Sequence, residues 1–268
     1  MATLTVLAWN LFHGRDDPPE GSRDHVAVNR VLRDDFAAVL ARERWDIALL
    51  QEAPPYWLGT LASVAGASAA SVLTSRNFGA FIRRPLAEWN PDLVASGEGG
   101  SNQILTRAGW RIAETRRLTL TLLPERRRLI WARLAHAEHG ALTVATLHAT
   151  AHDPAAAARD VERAARAACG WSAELPLVFG GDFNLRMAER PDAFERLEAE
   201  LGLAGARPAR AIDHLLVRGL QTRSAPEPLP AERREVRDSG GGLVRLSDHA
   251  PVVATYDIGS PPEASRGE

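Results

Sequence analysis

The sequence predicts two packed β-sheets with helices on their outer sides. Three observations carry this. Short apolar stretches rich in Val, Ile, Leu or Thr recur along the chain, with helical stretches between some of them. Residues 102 to 148 are nearly all strand with tight connections, which argues against a simple doubly wound parallel sheet and favours two stacked ones. No shift in composition marks a boundary, so residues 1–258 read as one domain and 259–268 as a loose tail. At 268 residues, 45% hydrophobic and 25% charged, the chain has globular values, and a wholly disordered or fibrous chain is excluded.

The elements follow in order. Thr3 to Phe12 and Asp46 to Glu52 are apolar strands, separated by a helix expected over Asp24 to Arg44, where Val28, Val31, Leu32, Phe36, Val39 and Leu40 fall at helical spacing. Asn102 to Arg107, Leu118 to Leu122, Leu129 to His136 and Leu142 to His148 are further strands. The strict alternation in Leu118 to Leu122 implies one buried and one wet face. Asp153-Pro154 before an alanine-rich run reads as an N-cap with a first-turn proline, and Gly170 as the stop. Strands at Leu175 to Phe183, Ile212 to Val217 and Val252 to Tyr256 complete the set, with a helix over Pro191 to Leu201 that ends at Gly202. Pro85 to Ser101 and Arg223 to Gly242 read as long polar loops at the rim.

The formal net charge of −2 does not attract a polyanion, so such a partner must be held by a local patch or a metal. All 32 basic residues are arginine, a planar fork suited to phosphate. With Cys169 alone, no internal disulfide forms. No apolar run reaches the roughly 18 residues of a membrane helix, and Met1 to Asn10 lacks the marks of a signal peptide; a soluble, cytoplasmic monomer is expected.

Chemistry is indicated by where polar residues fall. Asn10, Glu52, His148, Asp182 and Asn184 sit at or near the carboxyl ends of apolar strands, and Asn102 and Asp213 at strand beginnings; Asp248 and His249 lie in Leu-Ser-Asp-His-Ala-Pro-Val. Each alone has an ordinary reading as a turn residue, a surface acid or a satisfied core histidine. Together, repeated polar strand tips imply one converging pocket at the sandwich edge. Gly-x-Ser-x-Gly, Gly-Lys-Thr and Gly-x-Gly-x-x-Gly are all missing from the sequence, which gives little weight to those reaction classes.

The ordered set Trp9-Asn10, Gln51-Glu52, Thr146-Leu147-His148, Gly181-Asp182-Phe183-Asn184, Ile212-Asp213-His214 and Ser247-Asp248-His249-Ala250-Pro251-Val252 resembles the exonuclease/endonuclease/phosphatase superfamily over essentially the whole chain. The resemblance implies a four-layer α/β/β/α sandwich of the DNase I-like type and a magnesium-dependent hydrolase of phosphoesters, with manganese as an alternative ion. It implies Glu52 as the main metal ligand with Asn10 and Asp248 near the ion, and Asp182 as the group that orients or deprotonates the attacking water. Asn184 is implied as a donor to phosphate or water, His249 as a phosphate contact partnered by Asp213, His148 as a second phosphate contact, and Asn102 as a support of the site. A phosphoester resists attack because its oxygens are negative, so cations and donors around phosphorus plus an aligned water are what catalysis needs. Magnesium takes oxygen ligands and keeps several waters, so one or two carboxylates suffice; the lack of a Cys/His cluster argues against zinc.

The chain also departs from the family. The apurinic-site enzymes carry an acid where Phe12 stands, no acidic partner of His148 is identifiable, and the nine residues between Leu203 and Asp213 leave little room for an aromatic wedge loop. His13, Arg15, Asn102 and Arg133 are candidate substrate contacts. Arg107, Arg111, Arg116, Arg117, Arg126, Arg127, Arg128 and Arg133 form a basic stretch that reads either as a phosphate-backbone grip or as a solvated face. The expected function is a nuclease acting on DNA or RNA. The alternatives are hydrolysis of a small phosphoester and a catalytically dead binding module.

Overall fold

The computed structural model describes residues 2–26, 28, 30–74, 100–123 and 125–258. Its first sheet has six strands in the order β10-β13-β1-β2-β4-β3: β1 (Ala2–Asn10), β2 (Ile47–Ala53), β3 (Ser68–Leu73), β4 (Ser101–Thr106), β10 (Gln221–Pro228) and β13 (Val252–Ile258). The second has five in sequential order: β5 (Arg111–Thr121), β6 (Arg127–His136), β7 (Gly140–His148), β8 (Leu177–Asp182) and β9 (Asp213–Arg218). Both are mixed: β1–β2 and β7–β8 are parallel and the other pairs antiparallel. A short hairpin of β11 (Glu235–Arg237) and β12 (Leu243–Arg245) stands apart.

Strand periodicity builds the layers. Along β1, Leu4, Val6 and Ala8 pack between the sheets with Ile130, Val144, Val178 and Tyr256, while Leu7 and Trp9 point outward onto Phe36 and Leu40 of α1 (Arg33–Arg42) and Leu61 of α2 (Leu58–Ala65). On the far side, Trp131, Leu147 and Phe179 pack under Val161 of α3 (Pro154–Ser172) and Phe194 of α4 (Pro191–Leu201). Helices therefore cover both outer faces of two stacked sheets, which is the expected α/β/β/α order.

Four expectations are revised. The first helix begins at Arg33 rather than Asp24, because the backbone before it pairs elsewhere: Val26 donates to the Leu243 carbonyl and Leu243 to the Asp24 carbonyl. Asp153 does cap α3, accepting from the amides of Ala155 and Ala156, but the helix runs through Gly170 to Ser172. A mid-helix glycine costs about 1 kcal/mol, and the last turn is held by Trp131 Nε1 and Thr143 Oγ1 donating to Ser172 Oγ. The polar segment 223–242 contains most of β10 and all of β11, and β3 and α2 lie where no element was expected. Of the rim segment 85–101, all but Gly100 and Ser101 lies outside the described residues, as does the tail 259–268. Helix α4 ends at Leu201 with Gly202 at φ 66°, as its sequence implies.

Candidate active site

Register alone brings the polar strand tips to one edge of both sheets. Asn10 pairs with Gln51, so the carboxyl ends of β1 and β2 lie side by side. His148 pairs with Asp182 at the ends of β7 and β8, and Asp182 with Asp213 at the start of β9. Ala8 pairs with Val252, which places Asp248 and His249 beyond β13 on the same edge. Side chains then cross between the sheets. Asn10 Nδ2 donates to Asp182 Oδ2 at 2.9 Å and to Glu52 Oε1 at 3.3 Å. His13 Nε2 lies 2.9 Å from Glu52 Oε2. His148 sits between the two acids, Nδ1 3.4 Å from Glu52 Oε1 and Nε2 3.5 Å from Asp182 Oδ2. His249 Nδ1 is 2.7 Å from Asp213 Oδ2, and its Nε2 faces Asp182 Oδ2 at 3.9 Å.

Buried supports fix this arrangement. Gln51 Nε2 reaches across to Thr146 Oγ1 at 2.8 Å, joining the sheets directly behind Glu52. Gly181, at φ +129°, permits that approach: a Cβ there would lie 2.3 Å from the Leu147 carbonyl oxygen. Ser247 Oγ donates to the Asn10 carbonyl and accepts from the His249 amide, while Trp9 Nε1 donates to the His249 carbonyl. Gln51, Ser247 and Trp9 stand in the sequence motifs with no chemistry of their own, and their adjacency to Glu52, Asp248 and Asn10 is the signal that marks them. Phe12, His13, Glu52, Asn184 and Ser247 all have positive φ. For non-glycine residues that costs about 1–2 kcal/mol each, a strain that gathers at functional sites.

The electrostatics separate the groups. Burial opposes the charge of Glu52, but its hydrogen bond from His13, the nearby histidines and the Asn10 amide outweigh burial and hold its pKa below the usual carboxylate range. Burial and the field of Arg127 keep His148 neutral, with its pKa down at about 3. Burial and the neighbouring charge of Asp213 push Asp182 well above an ordinary aspartate, against the pull of His249. Burial works against charge on His249 too, yet the hydrogen bond and charge of Asp213, with Asp182 and Asp248, push its pKa up to about 10. A carboxyl poised near neutrality beside a held imidazolium is a pairing of base and cation.

Other candidates are placed less centrally. The Asn184 amide N–H donates to Asp182 Oδ1, and its side chain donates to the Ala149 carbonyl. Asn102 Nδ2 donates to the Arg128 carbonyl, tying β4 to β6, so Asn102 is a clasp between the sheets. The Arg15 guanidinium lies over the Phe12 ring at 3.7 Å. Arg133 is not at the site. It pairs with Thr143, five positions from His148 and about 17 Å along the strand, and lies 3.8 Å from Glu114. The basic stretch is likewise dispersed: Arg107 donates to the carbonyls of Trp45 and Glu43 at the far end of the first sheet, and Arg116 pairs with Glu114. Of the described members of this stretch, Arg126, Arg127 and Arg128 begin at the site edge, and Arg117 is close enough to Arg128 to disfavour its charge.

The donor set suits a hard cation. Glu52 and the half-exposed Asp248 offer carboxylate oxygens, and each disfavours charge on the other. Asp182, Asp213 and His249 form a second group with ligand atoms within 4.8 Å of one another, and Asp213 Oδ1 is buried without a hydrogen bond. The crowded carboxylates of Glu52 and Asp248 fit a bound divalent metal, whereas in the second group the Asp213–His249 hydrogen bond holds an imidazolium, which cannot ligate a cation.

Among solved structures, an endonuclease/exonuclease/phosphatase from Beutenbergia cavernae superposes with a TM-score of 0.69 at 18% identity, covering 98% of this chain and 73% of that one. A mannosyl-6-phosphatase from Bacteroides thetaiotaomicron gives 0.64 at 16%, covering 95% and 99%. TDP2 of D. rerio in complex with a single-stranded DNA product gives 0.61 at 14%, covering 96% and 100%. At such identities these likenesses show the fold. No curated protein matches the sequence. Among the described residues no helix is long and apolar enough to cross a membrane. The sequence itself, from Leu7 to His249, matches the Endonuclease/Exonuclease/phosphatase family, and the chain, with its stacked sheets and its acids and histidines gathered at one edge, belongs to that family.

Proposed function

We propose that this chain is a divalent-metal-dependent phosphodiester hydrolase, with DNA or RNA as its substrate class. The observation that carries the reading is the convergence on one edge of Asp182, the Asp213–His249 pair and Glu52. Asp182, with its pKa raised toward neutrality, accepts the proton of the attacking water. Asn10 and the Asn184 amide hold that carboxylate by its two oxygens. His249, kept cationic and aimed by Asp213, donates to a phosphate oxygen as negative charge builds there. Glu52 and Asp248, with Asn10 beside them, are the residues that would hold magnesium or manganese. Such an ion neutralises phosphate charge in the transition state.

One observation favours a second reading, a small phosphoester substrate. Three of the eight arginines that would track a nucleic-acid backbone, Arg107, Arg116 and Arg133, are paired away from the site. The folds of a mannosyl-6-phosphatase and of TDP2 with DNA are both similar to this chain, so the likeness allows either class.

The test is a screen of plasmid, single-stranded oligonucleotide, RNA and small phosphoesters, with magnesium and with chelator. A nuclease loses affinity steeply with salt, with a log–log slope of about −0.7 per contacted phosphate of a single strand, and Arg117→Ala with Arg128→Ala flattens that slope. Cleavage of small esters alone, with a flat slope, selects the second reading. No metal-dependent hydrolysis of any ester refutes both.

A further inference from the structure

The sequence offered no acidic partner for His148, and the structure puts an arginine in that place. Arg127 is 7% exposed at the first position of β6. The pairing of β5 with β6 shifts register between Thr119 and Thr121, opposite Arg128 and Arg127. Bulges of this kind re-aim a side chain next to a site, and here the guanidinium reaches His148: Nη1 lies 2.9 Å from the ring Nδ1. Its Nη2 is 2.7 Å from Glu125 Oε2, and its Nε is buried without a hydrogen bond. Both terminal nitrogens are thus engaged within the protein rather than presented to a ligand.

A guanidinium has five N–H donors and no acceptor. The 2.9 Å contact is therefore a hydrogen bond only if Nδ1 carries its lone pair, which leaves the ring proton on Nε2. Glu52 Oε1, at 3.4 Å from the same Nδ1, would draw the opposite tautomer, but it is the more distant partner. The choice matters because Nε2 faces Asp182 Oδ2 at 3.5 Å, the side on which the attacking water and the phosphate must gather. A proton on Nε2 makes His148 a donor there. A lone pair would set an acceptor against a carboxylate and against phosphate oxygens, where neither contact is attractive.

We propose that Arg127 is a positioning residue that fixes His148 in its Nε2–H tautomer and so makes His148 a hydrogen-bond donor into the reaction site. The role given to that donor rests on the phosphoesterase reading, whereas the tautomer itself does not. In this chain an arginine thereby orients the second histidine as Asp213 orients the first, with the opposite result. Asp213 holds an imidazolium, and Arg127 holds a neutral ring with one defined N–H.

The test reads the ring directly. Long-range proton–nitrogen NMR of the full chain, with the His148 signals assigned by their loss in His148→Gln, should show a pyridine-like Nδ1 and a pyrrole-like Nε2. In Arg127→Met, with Glu52 now the nearest partner of Nδ1, the proton should move to Nδ1 in most molecules. On whichever phosphoester the screen identifies, kcat should fall by roughly 10²–10⁴-fold, the range of a positioned proton-bearing group, with KM changed much less. Arg127→Lys, which also can only donate, should retain the Nε2–H tautomer and recover much of kcat. An Nδ1–H ring in the wild-type protein overturns the proposal, whatever the variants do. So does an unmoved tautomer in Arg127→Met, or a loss confined to KM, which would mark Arg127 as a substrate contact. If no ester is cleaved while the wild-type ring is Nε2–H and shifts in Arg127→Met, the tautomer assignment holds and the hydrolase reading fails.

Discussion

Replacing Asp213 by asparagine keeps the side chain's size and removes its charge, and two titrations should respond together. On the proposed mechanism the productive state has Asp182 ionised and His249 protonated. Burial and the charge of Asp213 push Asp182 up to about 7, and the Asp213 hydrogen bond and charge, with Asp182 and Asp248, overcome burial to push His249 up to about 10. The rate should follow a bell between those values, each limb belonging to the coupled set rather than to one residue. Without the Asp213 charge both shifts have the same sign. Asp182 loses a repelling neighbour and His249 an attracting one, so both limbs move toward acid. If His249 returns to its ordinary value of 6.5, about one molecule in ten holds the imidazolium at pH 7.5 and about one in a hundred at pH 8.5. The expected loss in kcat/KM is therefore about tenfold at the first pH and about a hundredfold at the second, with partial recovery on acidification. The assay is a pH profile with a chromogenic phosphodiester in excess magnesium, alongside an NMR titration of the His249 ring. An alkaline limb unmoved from its wild-type position would refute the argument, because the 2.7 Å contact would then carry no electrostatic weight.

Two further outcomes are expected. Glu52→Gln should abolish hydrolysis and remove the rise in Tm that magnesium gives the wild-type protein, since a bound ion stabilises by mass action only while its site persists; an undiminished magnesium effect on melting would place the ion elsewhere. Gly181→Ala should destabilise by more than about 3 kcal/mol, because φ is +129° and the added methyl would meet the Leu147 carbonyl oxygen and Thr146 Oγ1, both backbone and side chain being tightly placed; a denaturation midpoint within error of wild type would contradict the close approach of β8 to β7.

Core strands were legible because their side chains face apolar layers. β7, β8 and β9 read as continuous hydrophobic runs, and they are buried on both faces. The two edge strands of the first sheet were not. β10, Gln-Thr-Arg-Ser-Ala-Pro-Glu-Pro, is exposed at all but one position, and β3, Ser-Ala-Ala-Ser-Val-Leu, buries only Val72. Such strands are recruited by backbone pairing, which leaves little trace in side-chain pattern. Residues 24–32 show the converse: apolar spacing suggested a helix, but Asp24, Val26 and Leu243 exchange backbone bonds instead, and tertiary pairing overrode local preference. In the site, Asn10, Glu52, His148, Asp182, Asp213 and His249 were marked by their place at strand tips. Arg133 was misplaced because strand spacing shows which face an arginine takes but not how far from the tip it lies. Arg127 was hidden because a register shift redirects it, and such a shift is a property of the pair of strands rather than of either one.

The amide of Gln51 crossing to Thr146 and the amide of Asn10 crossing to Asp182 have a consequence for how the molecule comes to life. Asn10 and Glu52 belong to one sheet, with His249 just ahead of its strand β13, and His148, Asp182 and Asp213 belong to the other. With the roles proposed above, neither half holds a base, a cation and a metal-binding oxygen together. On that reading a refolding chain that had formed both sheets would still be inert until the two slabs met face to face, and a slip of one residue, about 3.3 Å, would part the Gln51–Thr146 and Asn10–Asp182 bonds. Recovery of turnover during renaturation is therefore expected to coincide with the drying of the layer between the sheets.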